Sequence, residues 1–286
     1  MGKIDPENLK ELELTPVSKP DHLQAFDSDG YPIDYAVFRN HNAPDSACPT
    51  VLLIPGGPHV FIEYSDEFNG VKLFNDHGYH VVIPQGLFRR GYSPLHGLKG
   101  KGRMGEGDME QLRCVMRDLL RRNISSQGVY LMGSSYGGYA SARLAHDSDL
   151  VKAAFVGNAF LDLDSGSHSF NSENNQFHHV EGEDTAVRER RLRLLSPALE
   201  APLPRVPVFM VGVQNDVRCP IAQSREFAHR LKERGLPFTY LEYPMGGHDH
   251  QFSYLEQIKA FFEGQRGFVC PEGYQIMGDT NGFYKT

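Results

Sequence analysis

The chain has 286 residues, 40% of them hydrophobic and 23% charged, with a net charge of −7 when histidine is neutral. That length suits a single α/β domain with one insertion, and the negative balance disfavours nucleic acid and anionic membrane surfaces as partners. No apolar run approaches the roughly 18 residues of a bilayer span. The opening MGKIDPENLKELELTP lacks the apolar centre of a signal peptide, so a cytoplasmic location is expected. Cys48, Cys114, Cys219 and Cys270 are far apart, with no zinc-ligand or redox-motif spacing, and are expected to be free thiols in a reducing compartment.

In chain order, residues 1–24 read as a polar N-terminal extension. Tyr31–Arg39 (YPIDYAVFR) alternates as an edge strand does. Thr50–Pro55 (TVLLIP) is a short apolar, β-branched run suited to a buried strand. Glu63–His77 predicts a helix ended by Gly78, and Tyr79–Pro84 the next strand. Glu106–Arg122 has apolar residues at helical spacing. Gly128–Met132 reads as a strand running into a glycine-rich turn, Gly138–Asp147 as a small-residue helix and Val151–Val156 as a strand. At about residues 162–200 the order breaks into an insertion: a Ser/Asn/Gly/His stretch, then the Arg-rich VRERRLRLLSPALE. Alternation resumes with strand Val206–Val213, helix Ala222–Arg234, strand Phe238–Tyr243 and helix Gln251–Glu263. Strand–helix alternation of this kind predicts a mostly parallel sheet of about eight strands with helices on both faces. Beyond Gly264, in a tail at 265–286, Tyr274–Met277 and Phe283–Lys285 flank a Gly-Asp-Thr-Asn-Gly turn and predict a hairpin.

The strongest chemical signal is GSSYGGYA, Gly133–Ala140, which contains G-x-S-x-G. Ser135 falls between an apolar strand and a small-residue helix, as a nucleophile elbow of the α/β-hydrolase fold requires. The turn must be sharp to present the hydroxyl above the sheet, so bulky residues two positions away would clash. The next residue, Tyr136, then offers its backbone N–H to a developing oxyanion. A serine is a poor nucleophile without a base oriented by a third group, and in this fold the acid and then the base follow the serine in the chain. Asp216 in VGVQNDVRCP and His248 in YPMGGHDH each follow a strand's C-terminal end, where catalytic groups gather in α/β sheets. Competing readings are Asp216 as a helix cap, Asn215 in its place, His250 or His59 as base, and a metal on His248 and His250. The second oxyanion donor is expected from IPGGPHV, with Gly57 first and Gly56 close behind. Arg188, Arg190, Arg191 and Arg193 are read as a solvated helix face before a carboxylate clamp, and Cys219 as a small filler residue.

These motifs resemble the prolyl oligopeptidase family of serine peptidases. The family's His-Gly-Gly-Pro, Gly-x-Ser-Tyr-Gly-Gly-Tyr, Gly-x-x-Asp-x-x-Val-Pro and Gly-His elements correspond to Pro55–Pro58, Gly133–Tyr139, Gly212–Pro220 and Gly247–His248. Pro55 replaces the usual His, Asp216 lies one position later after its glycine, and Cys219 stands where Val is common. The resemblance covers about residues 25–263. It implies the catalytic domain (25–264) alone, without the family's N-terminal β-propeller, acting on peptide or acyl-aminoacyl bonds of small substrates through an acyl-enzyme on Ser135. A carboxylesterase or acyltransferase shares the same core, and a fold-preserving binding protein is the reading of another class. No cofactor or metal is expected, and the insertion is the element expected to cover the site and limit substrate size.

Overall fold

The computed structural model describes residues 19–42, 44–58, 70–85, 100, 102–126, 128–163, 180–248 and 255–285. Its strands are β1 (Asp21–Phe26), β2 (Pro32–Phe38), β3 (Thr50–Ile54), β4 (His80–Gln85), β5 (Val129–Ser134), β6 (Val151–Gly157), β7 (Val208–Val213), β8 (Phe238–Tyr243) and β9 (Gln275–Asp279). The helices named here are α1 (Val71–Asp76), α2 (Gly107–Arg121), α3 (Tyr136–Leu144), α4 (Thr185–Leu195), α5 (Ile221–Glu233) and α6 (Leu255–Phe262). The strands form one sheet in the order β1-β2-β4-β3-β5-β6-β7-β8-β9. From β4 to β8 neighbouring strands are parallel, and antiparallel strands flank them at both ends.

The apolar runs TVLLI and HVVIPQ lie in central strands because both faces of the sheet are covered. Leu52, Ile54 and Val82 point into one core layer with residues of α2, α3 and α5. Their neighbours Val51, Leu53, Val81 and Ile83 point into the other, with Val71 and Phe74 of α1 and Ile258 and Phe261 of α6. The period-2 alternation therefore divides two buried faces, instead of separating core from water. Among the described residues, no helix is long and apolar enough to cross a membrane.

Two edges depart from expectation. β1 starts at Asp21, inside the segment read as an extension, and pairs antiparallel with β2 from Asp21↔Val37 to Phe26↔Pro32. Only Ala25 of its six residues is buried, with Leu23 packed partly against the same core, so the apolar alternation in DHLQAF is too short to announce it. The tail does not form the expected hairpin. Gln275–Asp279 instead adds a ninth strand to β8, and Phe283 turns back into the core against Phe209, Phe261 and Phe268, at ring-centroid distances of 5.7, 5.9 and 4.9 Å. Burial of Phe283 and Tyr284 outweighs the local turn preference. The first part of the helix expected at 63–77 and the start of the one expected at 251–263 lie outside the described residues.

This packing makes the tail a structural part of the sheet. Phe283→Ala should lower the free energy of unfolding by about 3–5 kcal/mol, the usual cost of deleting a buried ring. The denaturant midpoint reads this directly; a loss below about 1 kcal/mol would show the tail to be dispensable.

Candidate active site

The strand order reverses between β3 and β5: β3 is followed by β4 on one side, and β5 through β8 run away on the other. Loops leaving β3 and β5 therefore diverge at their C-terminal ends, and in open α/β sheets ligands bind in the crevice formed there. Pro55–Pro58 follows β3 and Ser135 follows β5. Asp216 and His248 follow β7 and β8 at the same end of the sheet.

Ser135 is held at φ 58° and ψ −125° between β5 and α3, a conformation that non-glycine residues adopt only under constraint. Its N–H donates to Gly157 O (2.9 Å) and its carbonyl accepts from Tyr139 N–H (3.0 Å). The neighbouring glycines are dictated by contact. A Cβ on Gly137 would stand 1.9 Å from Ile54 O, and one on Gly133 would stand 2.3 Å from the Gly137 carbonyl. The turn thus presses so closely on β3 and on itself that no side chain fits at either position.

The three residues named from sequence meet here. His248 Nδ1 lies 2.7 Å from Asp216 Oδ2, and His248 Nε2 lies 2.9 Å from Ser135 Oγ. With Asp216 ionised, Nδ1 keeps the ring proton and donates it, so Nε2 is the acceptor for the serine hydroxyl. The Asp216 side chain is 1% exposed and that of His248 9%. Asp216 does not cap α5, which starts after Pro220 without a side-chain cap. Its Oδ1 accepts instead from the amides of Arg218 (2.8 Å) and Cys219 (2.9 Å). Asn215 is exposed. His59, His250 and the His178–His179 pair lie outside the described residues.

Of the residues expected at the oxyanion, Tyr136 directly follows the serine and Gly56 passes beside it. Tyr136 opens α3, and the first amides of a helix have no acceptor within it. A Cβ on Gly56 would stand 3.6 Å from Ser135 Cβ, so this loop passes directly by the nucleophile position. Gly57 has φ 120°, which favours glycine.

Sequence reasoning missed two supporting residues. Asp108, at the start of α2, is fully buried and accepts from Tyr136 Oη (2.6 Å), Gly105 N–H (2.7 Å) and Met109 N–H (3.0 Å). Burial pushes its carboxyl up to about 6, while the Tyr136 hydroxyl and the backbone amides pull the other way. Asn158, at φ 37° just after β6, reaches from Nδ2 to His248 O at 3.3 Å and so ties the base loop to the centre of the sheet. The only sequence signal for Asp108 was an acidic residue in the first turn of an apolar helix.

Of the insertion, residues 164–179 lie outside the described part. Its helical half, α4, is capped by Asp184, which accepts from Ala186 N–H and Val187 N–H. It docks through Leu192 and Leu195, leaving Val187 and Leu194 exposed. Arg191 makes a two-pronged pair with Glu183 at 2.8 Å on each side, and Arg190 and Arg193 pair with Glu200. All four cysteines are free thiols.

The raised Asp108 carboxyl has a defined signature. The folded state holds this proton more tightly than the unfolded chain, whose carboxyl titrates near 3.8. The protonated group therefore favours folding fully below about pH 4, and that advantage is lost as pH rises through about 6. Asp108→Asn removes the titration. Relative to this variant, the native chain should lose on the order of 2–3 kcal/mol of unfolding free energy between pH 4 and pH 7. Parallel denaturant melts at the two pH values check it; a constant difference between the two proteins would refute it.

The sequence profile of the prolyl oligopeptidase family matches residues 65–267, well over half of the chain. The chain is 24% identical over 246 residues to the uncharacterized peptidase YuxL of Bacillus subtilis, and 25% identical over 245 residues to the acylamino-acid-releasing enzyme of Mus musculus. Each alignment covers 82% of this chain but only 36% and 33% of the relative. Among solved structures, the acylaminoacyl peptidase of Pyrococcus horikoshii superposes with a TM-score of 0.74 at 23% identity, over 87% of this chain and 41% of that one. A puromycin-hydrolyzing peptidase of Mycobacterium tuberculosis gives 0.74 at 22% identity, over 86% and 39%. The chain spans about a third of the length of the curated relatives it matches. The matched segment contains Ser135, Asp216 and His248, and on this the conclusion rests that the chain belongs to the prolyl oligopeptidase family.

Proposed function

We propose that this chain is a serine peptidase that hydrolyses peptide or acyl-aminoacyl bonds of small substrates. The observation that carries the reading is the unbroken hydrogen-bonded line from Asp216 through His248 to Ser135. In the reaction, Ser135 Oγ attacks the scissile carbonyl while His248 Nε2 takes its proton. Asp216 holds the imidazole in the required tautomer and offsets the positive charge it gains. The backbone N–H groups of Tyr136 and Gly57 stabilise the tetrahedral oxyanion. His248 then hands its proton to the leaving amine, and water releases the acyl group by the same steps in reverse. Residues 25–264 carry the catalytic groups in this reading, and β1 and β9, which reach beyond those bounds, seal the sheet edges.

The choice of amide over ester substrates is supported by the names of its relatives, an acylamino-acid-releasing enzyme and a puromycin-hydrolyzing peptidase. By name, the first releases acylamino acids and the second is a peptidase that hydrolyses puromycin.

Ser135→Ala should abolish labelling by a fluorophosphonate and lower turnover by on the order of 10⁴–10⁶, with an unchanged circular dichroism spectrum. His248→Ala and Asp216→Asn should also be severely impaired. A panel of aminoacyl-arylamides, acyl-aminoacyl-arylamides and short-chain esters decides the substrate class by kcat/KM. Turnover of esters with inert arylamides would replace the peptidase reading with a carboxylesterase.

A further inference from the structure

The triad has a neighbour that the proposed hydrolysis does not use. Cys219 is 3% exposed, lies three residues after Asp216, and donates its backbone N–H to that residue's Oδ1. Its thiol is raised by burial, further by the Asp216 charge, and is partly drawn back by the Ser135 hydroxyl. Ligand atoms of Asp216, Cys219 and His248 all lie within 4.8 Å of one another, and this is the metal-capable cluster among the described residues.

We propose that Cys219 and His248 form an inhibitory site for a thiophilic divalent cation such as zinc, which shuts off the serine by taking the base. The proposal rests on the hydrolase reading of the same residues. Zinc favours sulfur and imidazole nitrogen in tetrahedral geometry, at about 2.3 Å and 2.0–2.1 Å. A sulfur and a nitrogen bound to one such ion stand about 3.5 Å apart, and the ligand atoms of Cys219 and His248 lie within 4.8 Å of each other. The outer shell is already built. Zinc-bound histidines commonly donate the other ring N–H to a carboxylate, which fixes the ring and raises its basicity; Asp216 Oδ2 at 2.7 Å from His248 Nδ1 is such a partner. The inner ligands are then His248 Nε2 and the Cys219 sulfur, with the Ser135 oxygen, 2.9 Å from Nε2, as a third. On binding, the thiol proton leaves to solvent as the zinc–sulfur bond forms. The Nε2 lone pair is committed to the metal and no longer accepts the serine proton.

The test compares the intact chain with Cys219→Val, which keeps an apolar side chain of similar bulk, and Cys219→Ser. Zinc chloride at micromolar concentration should suppress arylamide hydrolysis and fluorophosphonate labelling of the native chain, and EDTA should restore both. Measured against its own zinc-free rate, Cys219→Val should require at least about tenfold more zinc for the same fractional inhibition, the lower end of what even outer-shell losses cost in metal affinity. Cadmium should give an ultraviolet cadmium–thiolate charge-transfer band in the native chain that is absent from Cys219→Val and Cys219→Ser. That band needs no turnover, so a chain that hydrolyses nothing yet shows it would retain the metal site while losing the hydrolase reading. Equal zinc sensitivity in native and Cys219→Val proteins, or a cadmium band of equal strength in all three, would overturn the proposal.

Discussion

The close approach of the β5–α3 turn to β3 is the constraint on which the rest of this structure depends. Ser135 sits at φ 58°, and a strained residue of this kind costs of the order of 1–3 kcal/mol. The strain persists only because its surroundings over-determine it. The Gly137 Cα lies against Ile54 O so closely that a Cβ would have 1.9 Å of space, while Gly157 O accepts from Ser135 N–H on the other side. The turn is therefore wedged between the strands on either side of β5. Nearly every residue of α3 is buried, so the helix cannot drift to relieve the strain. The placement of the hydroxyl, 2.9 Å from His248 Nε2, is a consequence of packing that leaves the turn no other conformation.

The two buried carboxylates near the serine show how environment divides their roles. Asp216 is met by two backbone amides on one oxygen and by His248 on the other, an arrangement that fixes the orientation of the imidazole. Asp108 is also buried and also accepts three hydrogen bonds, yet desolvation dominates and its carboxyl rises. It faces the side chain of Tyr136, not the base, so its charge state bears on packing behind the elbow and not directly on the histidine. A buried carboxylate is in this sense no marker of the acid; the imidazole partner is.

Much of the site was legible in the sequence because its chemistry is local. The glycine spacing around Ser135 records contacts made within a single turn, and Asp216 and His248 follow apolar strand runs that are hard to misread. Elements held by distant partners were not legible. Asp108 meets Tyr136 across 28 residues and Asn158 meets His248 across 90, and neither pairing leaves a periodic trace. β1 was invisible because an edge strand with one buried residue needs no apolar alternation. The tail was misread because the Asn-Gly turn argued for a hairpin locally, whereas Phe283 and Tyr284 found more apolar surface beneath the sheet.

The edges explain how a strained centre can be kept rigid in a sheet this wide. An unsupported outer strand frays, and fraying propagates inward through the ladder. Here β1 is tied to the sheet by the Arg39–Asp21 ion pair at 2.6 Å and by Gln24 donating to Asp34 at 2.7 Å. At the opposite edge β9 is tied by Thr239 donating to Asp279 at 2.6 Å, and by Asn281 donating to Val208 O and Thr239 Oγ1. β8, whose C-terminal loop carries His248, thus becomes an interior strand with a neighbour on each side, as β7 before Asp216 already is. The distances from Asp216 to His248 and from His248 to Ser135 are set across three separate strand ends, so they hold only while those strands keep register. The antiparallel strands that close the sheet bear on the triad's geometry through that register.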